Sequence, residues 1–436
     1  MTATTLLHHL RNKHPDQIKK VSNQPKIEEF IAPSTVKYPN KSLKKKMIDE
    51  KVALFVAKDL RPPAIVEGEG LKELISELDP KYVLPSRRKL VRDDLPALQN
   101  KVREGLHRQL ENTHSLSLTT DLWTSVSNTG FIALTAHFLD NEKNLQAKLI
   151  SCESFTERHS SINILEKLKE MMAHFKIEEK VVGCTTDNGA NIVKAVKDLG
   201  VFHIPCLAHK LNLCAVEVLS KSVAVKDARD KIAKLVSAFR SSSNVKREFC
   251  KCQERLGIDP PKALLADVQT RWNSTLLMLK RALELHEAIT LFQGSDEGAQ
   301  FFISGETWAV LKSATALFRP LFEATVEMSS ERNTTGSKII PLAKSLMSWY
   351  ASEADRLLGD PISHEFCQNL SRTIYNRFKM VEDVEELALA TLCDPRFKKQ
   401  GFRDPEKASA TVRRLKERLS DTRSPEQETT SGLFLK

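Results

Sequence analysis

No apolar run in this 436-residue chain is long enough to cross a bilayer, and no apolar signal segment opens it. Membrane partners are therefore not expected. The eight cysteines follow no regular framework, and no Cys-x-x-Cys pair occurs. Cys250-Lys251-Cys252 is too tight for an ordinary zinc pair. A disulfide-stapled secreted fold is thus excluded, and a reduced intracellular protein, nuclear or cytosolic, is expected. Aromatic residues are sparse at 6%, and no Trp follows Phe397.

What is present suffices for real cores. The chain is 41% hydrophobic and long enough for two or three domains. Its net charge of +10 is uneven: residues 1–110 hold 22 Lys+Arg against 14 Asp+Glu, whereas residues 111–436 hold 44 against 42. A basic front end before a near-neutral body fits contact with a polyanion, or equally a solvated basic linker.

One tripeptide occurs twice. Thr119-Thr120-Asp121 closes the alternating run Ser115–Leu118, and Thr185-Thr186-Asp187 closes the apolar run Val181–Cys184. Both runs read as strands, the first half-buried and the second central. Phe131–Leu139 and Leu145–Cys152 are two further strand-like runs, followed by a helical run that ends at Phe175. An acid just past the first and the fourth strand, in the order β-β-β-α-β, resembles the ribonuclease H-like arrangement. There the two strands pair in parallel, and their acids hold divalent metal. A turn at Asn188–Asn191 then leads into a helix at Ile192–Leu199 and a short fifth strand at Phe202–Leu207.

The residues around these acids carry a resemblance to the hAT-superfamily transposases. Leu118–Ser125 resembles the first-acid block, and Thr186–Ile192 the second. Pro205-Cys206-Leu207-Ala208-His209 is similar to the family's Cys-x-x-His block, and Thr270-Arg271-Trp272-Asn273-Ser274 to its Arg-Trp block. Leu78–Arg87 and Ala388–Lys398 resemble further blocks of BED zinc finger proteins descended from such elements. The resemblance implies an α/β plus all-α protein, with a ribonuclease H-like mixed sheet interrupted by an all-helical insertion domain. It implies Asp121 and Asp187 as metal-binding acids, with Mg²⁺ their natural ion. It also implies Arg271 on backbone phosphate, Trp272 stacked on a displaced base, and a structural role for Cys206 and His209 near the acids. For Trp272 plain core packing is the competing reading; for Cys206 and His209 the competing reading is a zinc site with Cys214.

In chain order the sequence predicts a remnant of a BED finger over 1–15 and a basic linker over 16–46. An N-terminal helical domain follows over 47–110, with a ribonuclease H-like core over 111–220. The helical insertion covers 221–420, and a disordered tail closes the chain at 421–436. His9 and His14 have the His-x4-His spacing of the closing half of a finger, but two ligands cannot complete a tetrahedral zinc site. Zn²⁺ is thus expected only in a complete finger of a longer form, which would also be the homo-oligomeric form. Arg87, Arg88 and Lys89 form a cluster suited to phosphate, or simply an exposed helix start. The family's third acid, a Glu after the insertion, has no counterpart by motif. Glu382, Glu385 and Glu386 precede the closing block and read as a solvated helix face. The expectation is a nuclear DNA-binding regulator without strand-transfer activity. An active metal-dependent transposase and a protein-interaction scaffold are the alternatives.

Overall fold

The computed structural model describes residues 8–9, 12–13, 36–268, 272–330 and 333–421. They divide into two compact units, 1–112 and 113–436. His14, Arg271 and the tail beyond residue 421 lie outside the described residues.

In the first unit α1 (Leu43–Lys58) begins where Ser42 accepts the Lys45 N–H, within the stretch read as a linker. Helix α2 (Glu69–Leu78) follows, then α3 (Arg87–Lys89), which runs through a π-turn at Leu90–Asp94 into α4 (Leu95–Glu111). Val52, Ala53, Val56, Val66, Tyr82 and Leu90 form its small core. Inside it lies a charged network. The Asp49 carboxylate accepts from the Tyr82 hydroxyl at 2.6 Å, Lys89 Nζ at 2.8 Å and Lys45 Nζ at 3.3 Å. Burial opposes the charge on Asp49, but bonds from Lys89 and Tyr82 and the charge of Lys45 hold it below the usual carboxylate range. Lys45 is only 5% exposed and also donates to the Val83 carbonyl at 2.7 Å. The lysine run is therefore partly a structural element.

The second unit opens with a five-stranded sheet in the order β3-β2-β1-β4-β5. Its strands are β1 (Leu116–Thr124), β2 (Gly130–Leu139), β3 (Leu145–Ser154), β4 (Val181–Thr186) and β5 (Phe202–Pro205). The first three are antiparallel neighbours, and β1–β4 and β4–β5 are parallel pairs. Helix α5 (Ser161–Phe175) starts at the Ser160 cap and stops at Lys176, whose φ of 53° is left-handed. It packs on α6 (Ala190–Asp198), which touches β4 and β5. This is the ribonuclease H-like sheet that the order of the runs predicts.

Helices occupy the rest of the unit: α7 (Leu207–Lys221), α8 (Val223–Ser241), α9 (Ser243–Arg255), α10 (Trp272–Glu284) and α11 (His286–Gln293), then α12 (Gly305–Met328), α13 (Ile339–Arg356), α14 (Pro361–Phe378), α15 (Glu385–Cys393) and α16 (Pro405–Asp421). They enclose two cores. Phe239, Phe249, Leu279, Phe292 and Trp308 belong to one; Leu211, Trp272, Phe318, Tyr350 and Phe366 belong to the other. Helix α12 contributes to both and so ties them together. Helix α7 buries Leu207, Leu211, Cys214 and Val218 in the second core, so the strand-helix-strand frame hands over to the helical part directly after β5.

Candidate acidic site on the sheet

Alternation along β1 divides its residues between two environments. Leu116, Leu118 and Thr120 are buried, while Ser117, Thr119, Asp121 and Trp123 stand on the more open face. Thr119 pairs with Thr185 across the parallel β1–β4 ladder. Asp121, within β1, and Asp187, just past the end of β4, therefore lie the same two residues beyond that rung. The sequence expectation that the two acids share one sheet edge is what the register shows.

Each acid is held differently. The Asp187 Oδ1 accepts the Gly189 N–H at 3.0 Å at the start of α6, where the helix N-terminus favours negative charge. A Cβ on Gly189 would stand 3.1 Å from that same oxygen, so glycine permits the close approach. Behind it the Thr186 hydroxyl donates to the Asp187 carbonyl at 2.6 Å and lies 2.9 Å from His203 Nε2. Asp121 reaches solvent on one side. Surrounding protein nevertheless desolvates its carboxyl, and this, with the charge of Asp187, raises it above the ordinary range. The Leu122 N–H and the charge of His209 work the other way. Asp121, Asp187 and His209 thus form one electrostatic group.

The Cys206 block is placed beside the acids by its backbone. The Cys206 N–H donates to the Thr186 carbonyl at 2.9 Å, and α7 starts at the next residue. Cys214, two turns further on, is fully buried, and burial pushes its thiol up to about 12. Among the described residues no three His, Cys, Asp or Glu side chains converge within metal-holding reach. Cys206, His209 and Cys214 are accordingly not brought within that reach of one another. The acid pair likewise has no third donor, so the described residues do not fit a two-metal centre.

A cleft of about 1010 Å³ opens on the sheet surface next to this group. Ser117, Thr119 and His137 line one side, and Ser337, Asp394 and Arg396 line the other. Arg396 forks onto Asp394 at 2.9 and 2.7 Å and holds that carboxyl far below its usual range. Within the closing block, Ala388–Lys398, Asp394 and Arg396 are therefore committed to each other. Of the three glutamates before it, Glu382 is not solvated: it is 6% exposed and accepts the Arg403 N–H at 2.6 Å and the Asp404 N–H at 3.3 Å. Glu385 pairs with Arg418 at 2.6 Å, and Glu386 has a buried Oε1 with no hydrogen-bond partner.

Trp272 has the core packing that competed with base stacking, and Trp123 stands open. Trp272 is 3% exposed, against Phe318 at 5.5 Å and Phe322 at 6.4 Å between ring centroids. Its backbone N–H donates to Asn212 Oδ1 on α7 at 3.2 Å. Ahead of it, Asp267 binds Arg229 at 2.6 Å and accepts from Ser274 and Thr275 at 3.0 and 2.8 Å, fixing the start of α10. Trp123, by contrast, is 40% exposed and stacks on Phe131 at 5.6 Å and 16°, two residues beyond Asp121 on its face. The strand alternation contained that signal, since Trp123 shares the parity of Asp121. In the first unit Arg87 and Arg88 are exposed, and Lys89 is paired with Asp49 and Asp94. His9 is exposed.

Comparison with known proteins agrees with this frame. The model of the ZBED1 RNase-like domain matches residues 119–203, and that of the ZBED1 RNase-like helical domain matches residues 204–317. The protein named "Putative AC transposase" of Zea mays is 27% identical over 375 residues, covering 80% of this chain and 45% of that protein. Zinc finger BED domain-containing protein 4 of Homo sapiens is 23% identical over 372 residues, 83% of this chain and 31% of its own. Zinc finger BED domain-containing protein RICESLEEPER 3 of Oryza sativa subsp. japonica is 25% identical over 358 residues, 77% and 46%. The chain spans less than half the length of these relatives.

Proposed function

We propose, for a chain that belongs to the hAT-transposase-derived proteins of the BED zinc finger type, a role as a nuclear DNA-binding protein that regulates transcription or chromatin and does not itself join strands. The observation that carries this reading is an acid pair, Asp121 and Asp187, with an exposed Trp123 beside it and no third donor among the described residues. Such a site can meet DNA and lacks the donors for positioning both the attacking and the leaving oxygen. The basic surplus before residue 110 supplies phosphate contacts, with exposed Arg87 and Arg88 as the leading candidates and Arg271 as a further one. Lys89 contributes by holding its helix in place on Asp49. Trp123 is the tryptophan placed to stack a displaced base, and Trp272 braces α10 against α7 and α12. His9 and His14 are proposed as two ligands of Zn²⁺ in a complete finger, and a form that carries such a finger as the homo-oligomeric one.

The test is a labelled duplex titrated with the chain between 50 and 200 mM salt, then incubated with Mg²⁺ or Mn²⁺. Binding should weaken steeply with salt, by about a factor of ten for each two phosphate contacts over that range, and no nicks should form. Metal-dependent nicking that Asp121→Asn or Asp187→Asn abolishes would make the chain an active nuclease instead. Salt-insensitive association with protein but not DNA would favour the scaffold.

A further inference from the structure

The helical part of the second unit carries a cationic surface far along the chain from the basic front end. A groove of about 450 Å³ runs between α13 and α14, lined by Met347, Ala351, Gln368, Ser371, Arg372 and Tyr375. Tyr375 is 48% exposed at its edge. Arg403, arriving just ahead of α16, sets its guanidinium 5.5 Å from the Tyr375 ring centre and its Nη1 3.4 Å from Met347 Sδ. Lys379, one turn beyond Tyr375, holds its ammonium 5.9 Å from the same ring. Arg372 is exposed one turn before it on α14. Two cations therefore rest against one accessible aromatic ring, and a third, Arg372, lines the same groove.

Their carboxylate neighbours are committed elsewhere. Glu382 caps the backbone N–H groups of Arg403 and Asp404, and Asp383 pairs with Lys407 at 2.7 Å. Asp404 accepts the Glu406 N–H at 2.8 Å at the start of α16. Among the described residues no carboxylate lies within ion-pair distance of Arg372, Lys379 or Arg403. Several other cations of the helical part are paired: Lys338 with Glu327, Lys231 with Asp227, Lys251 with Glu248, and Arg319 with Glu323. Two of these three cations rest on a tyrosine ring, a weak partner that is given up readily to a full negative charge.

We infer that this groove is a binding surface for single-stranded nucleic acid. Phosphates would replace the ring as partner of Lys379 and Arg403 and would pair with Arg372, and the freed face of Tyr375 would take a base. Aromatic stacking inside a cationic groove is how strands are held without sequence preference. The groove lies between two helices, which suits a flexible strand better than a rigid duplex. An acidic peptide would satisfy the cations but would leave the ring unused. This inference rests on the chain's being a nucleic-acid-binding protein, and the arms of the experiment keep the two apart.

The experiment uses the full chain and a fluorescent 15-nucleotide strand of mixed sequence, followed by anisotropy from 50 to 200 mM salt. The variants are Arg372→Gln/Arg403→Gln, Tyr375→Leu, and Arg87→Gln/Arg88→Gln. All five side chains are exposed, and thermal unfolding checks that each variant stays folded. Losing two phosphate contacts should lower the slope of log affinity against log salt by about 1.4 and weaken strand binding roughly tenfold at 100 mM. Duplex binding should change by less than about twofold in the same variant, because the groove contributes little to it. Ultraviolet cross-linking of the strand should label Tyr375, and Tyr375→Leu should remove that label.

Unchanged strand affinity and no label at Tyr375, with duplex binding intact, would sink this inference alone. Loss of both duplex and strand binding in the natural chain would sink the proposed function with it. Binding of poly-glutamate that depends on Arg372 and Arg403, without strand binding, would assign the surface to an acidic protein partner and overturn the nucleic-acid reading.

Discussion

Replacing Asp49 by Asn should strongly destabilise the first unit, and the size of the effect can be worked from its contacts. The substitution keeps the shape and leaves an acceptor for the Tyr82 hydroxyl, but it removes the negative charge. Lys45, 5% exposed, then holds a buried ammonium whose remaining partners are the Val83 carbonyl and the Tyr82 ring at 4.8 Å. Removing one partner from a buried pair costs about 3–5 kcal/mol. Lys89 is more open and retains Asp94, so it adds little. A unit of this size has on the order of 4–11 kcal/mol of stability, so the change removes a large part of it. The assay is limited proteolysis of the full chain with cut sites mapped by mass, alongside thermal unfolding. New cuts between residues 36 and 112 are expected. The pH dependence follows from the depressed carboxyl: its contribution is full above the ordinary aspartate value of 3.8 and is lost as pH falls through the lower folded value. Proteolytic protection in Asp49→Asn equal to that of the natural chain would refute the reasoning, because it would mean that water already screens the network.

Trp272→Ala should cost about 3–5 kcal/mol, as large core truncations do, whereas Trp123→Ala should leave the unfolding midpoint almost unchanged and weaken DNA binding. Metal analysis of the purified chain should give well under one Zn²⁺ per molecule; one per chain, lost in His209→Ala, would revive the Cys206–His209 site. Asp121→Asn should raise stability slightly at neutral pH, by less than about 1 kcal/mol after solvent screening. The sign follows from its raised carboxyl, whose favourable contribution is complete below the ordinary value and is lost as pH rises through the folded one. A lower unfolding midpoint for Asp121→Asn would contradict it.

Periodicity made the sheet legible because its signal is local. The alternation of β1 and β2 and the apolar β4 follow directly from which residues face the core. The repeated Thr-Thr-Asp was informative for the same reason, since equal offsets on parallel neighbours place equal side chains side by side. What the sequence could not disclose depended on distant partners. Lys44–Lys46 looks like a solvated run until Asp49, Tyr82 and Val83 close around Lys45. Glu382 looks like part of an acidic surface until the backbone of Arg403 and Asp404 arrives to be capped. Trp272 and Trp123 lie in equally suggestive blocks, and only the packing of α7, α10 and α12 separates a brace from an accessible ring. Arg372, Tyr375 and Arg403 are scattered over two helices and a loop, with no motif to join them.

The acid pair is itself an argument about use. Two carboxylates on adjacent strands repel, and here the repulsion is strengthened by desolvation at Asp121 and relieved only in part by His209. A fold gains nothing in stability from that arrangement. The surrounding structure is nevertheless built to maintain it: Gly189 admits the Asp187 carboxylate to the start of α6, and the Cys206 N–H ties α7, and with it His209, to the end of β4. Such organised support for an unfavourable pair makes sense where a cation or a DNA backbone carrying its counterions supplies the missing positive charge. An open sheet face with a stacked Trp123 beside it leaves the pair reachable from solvent.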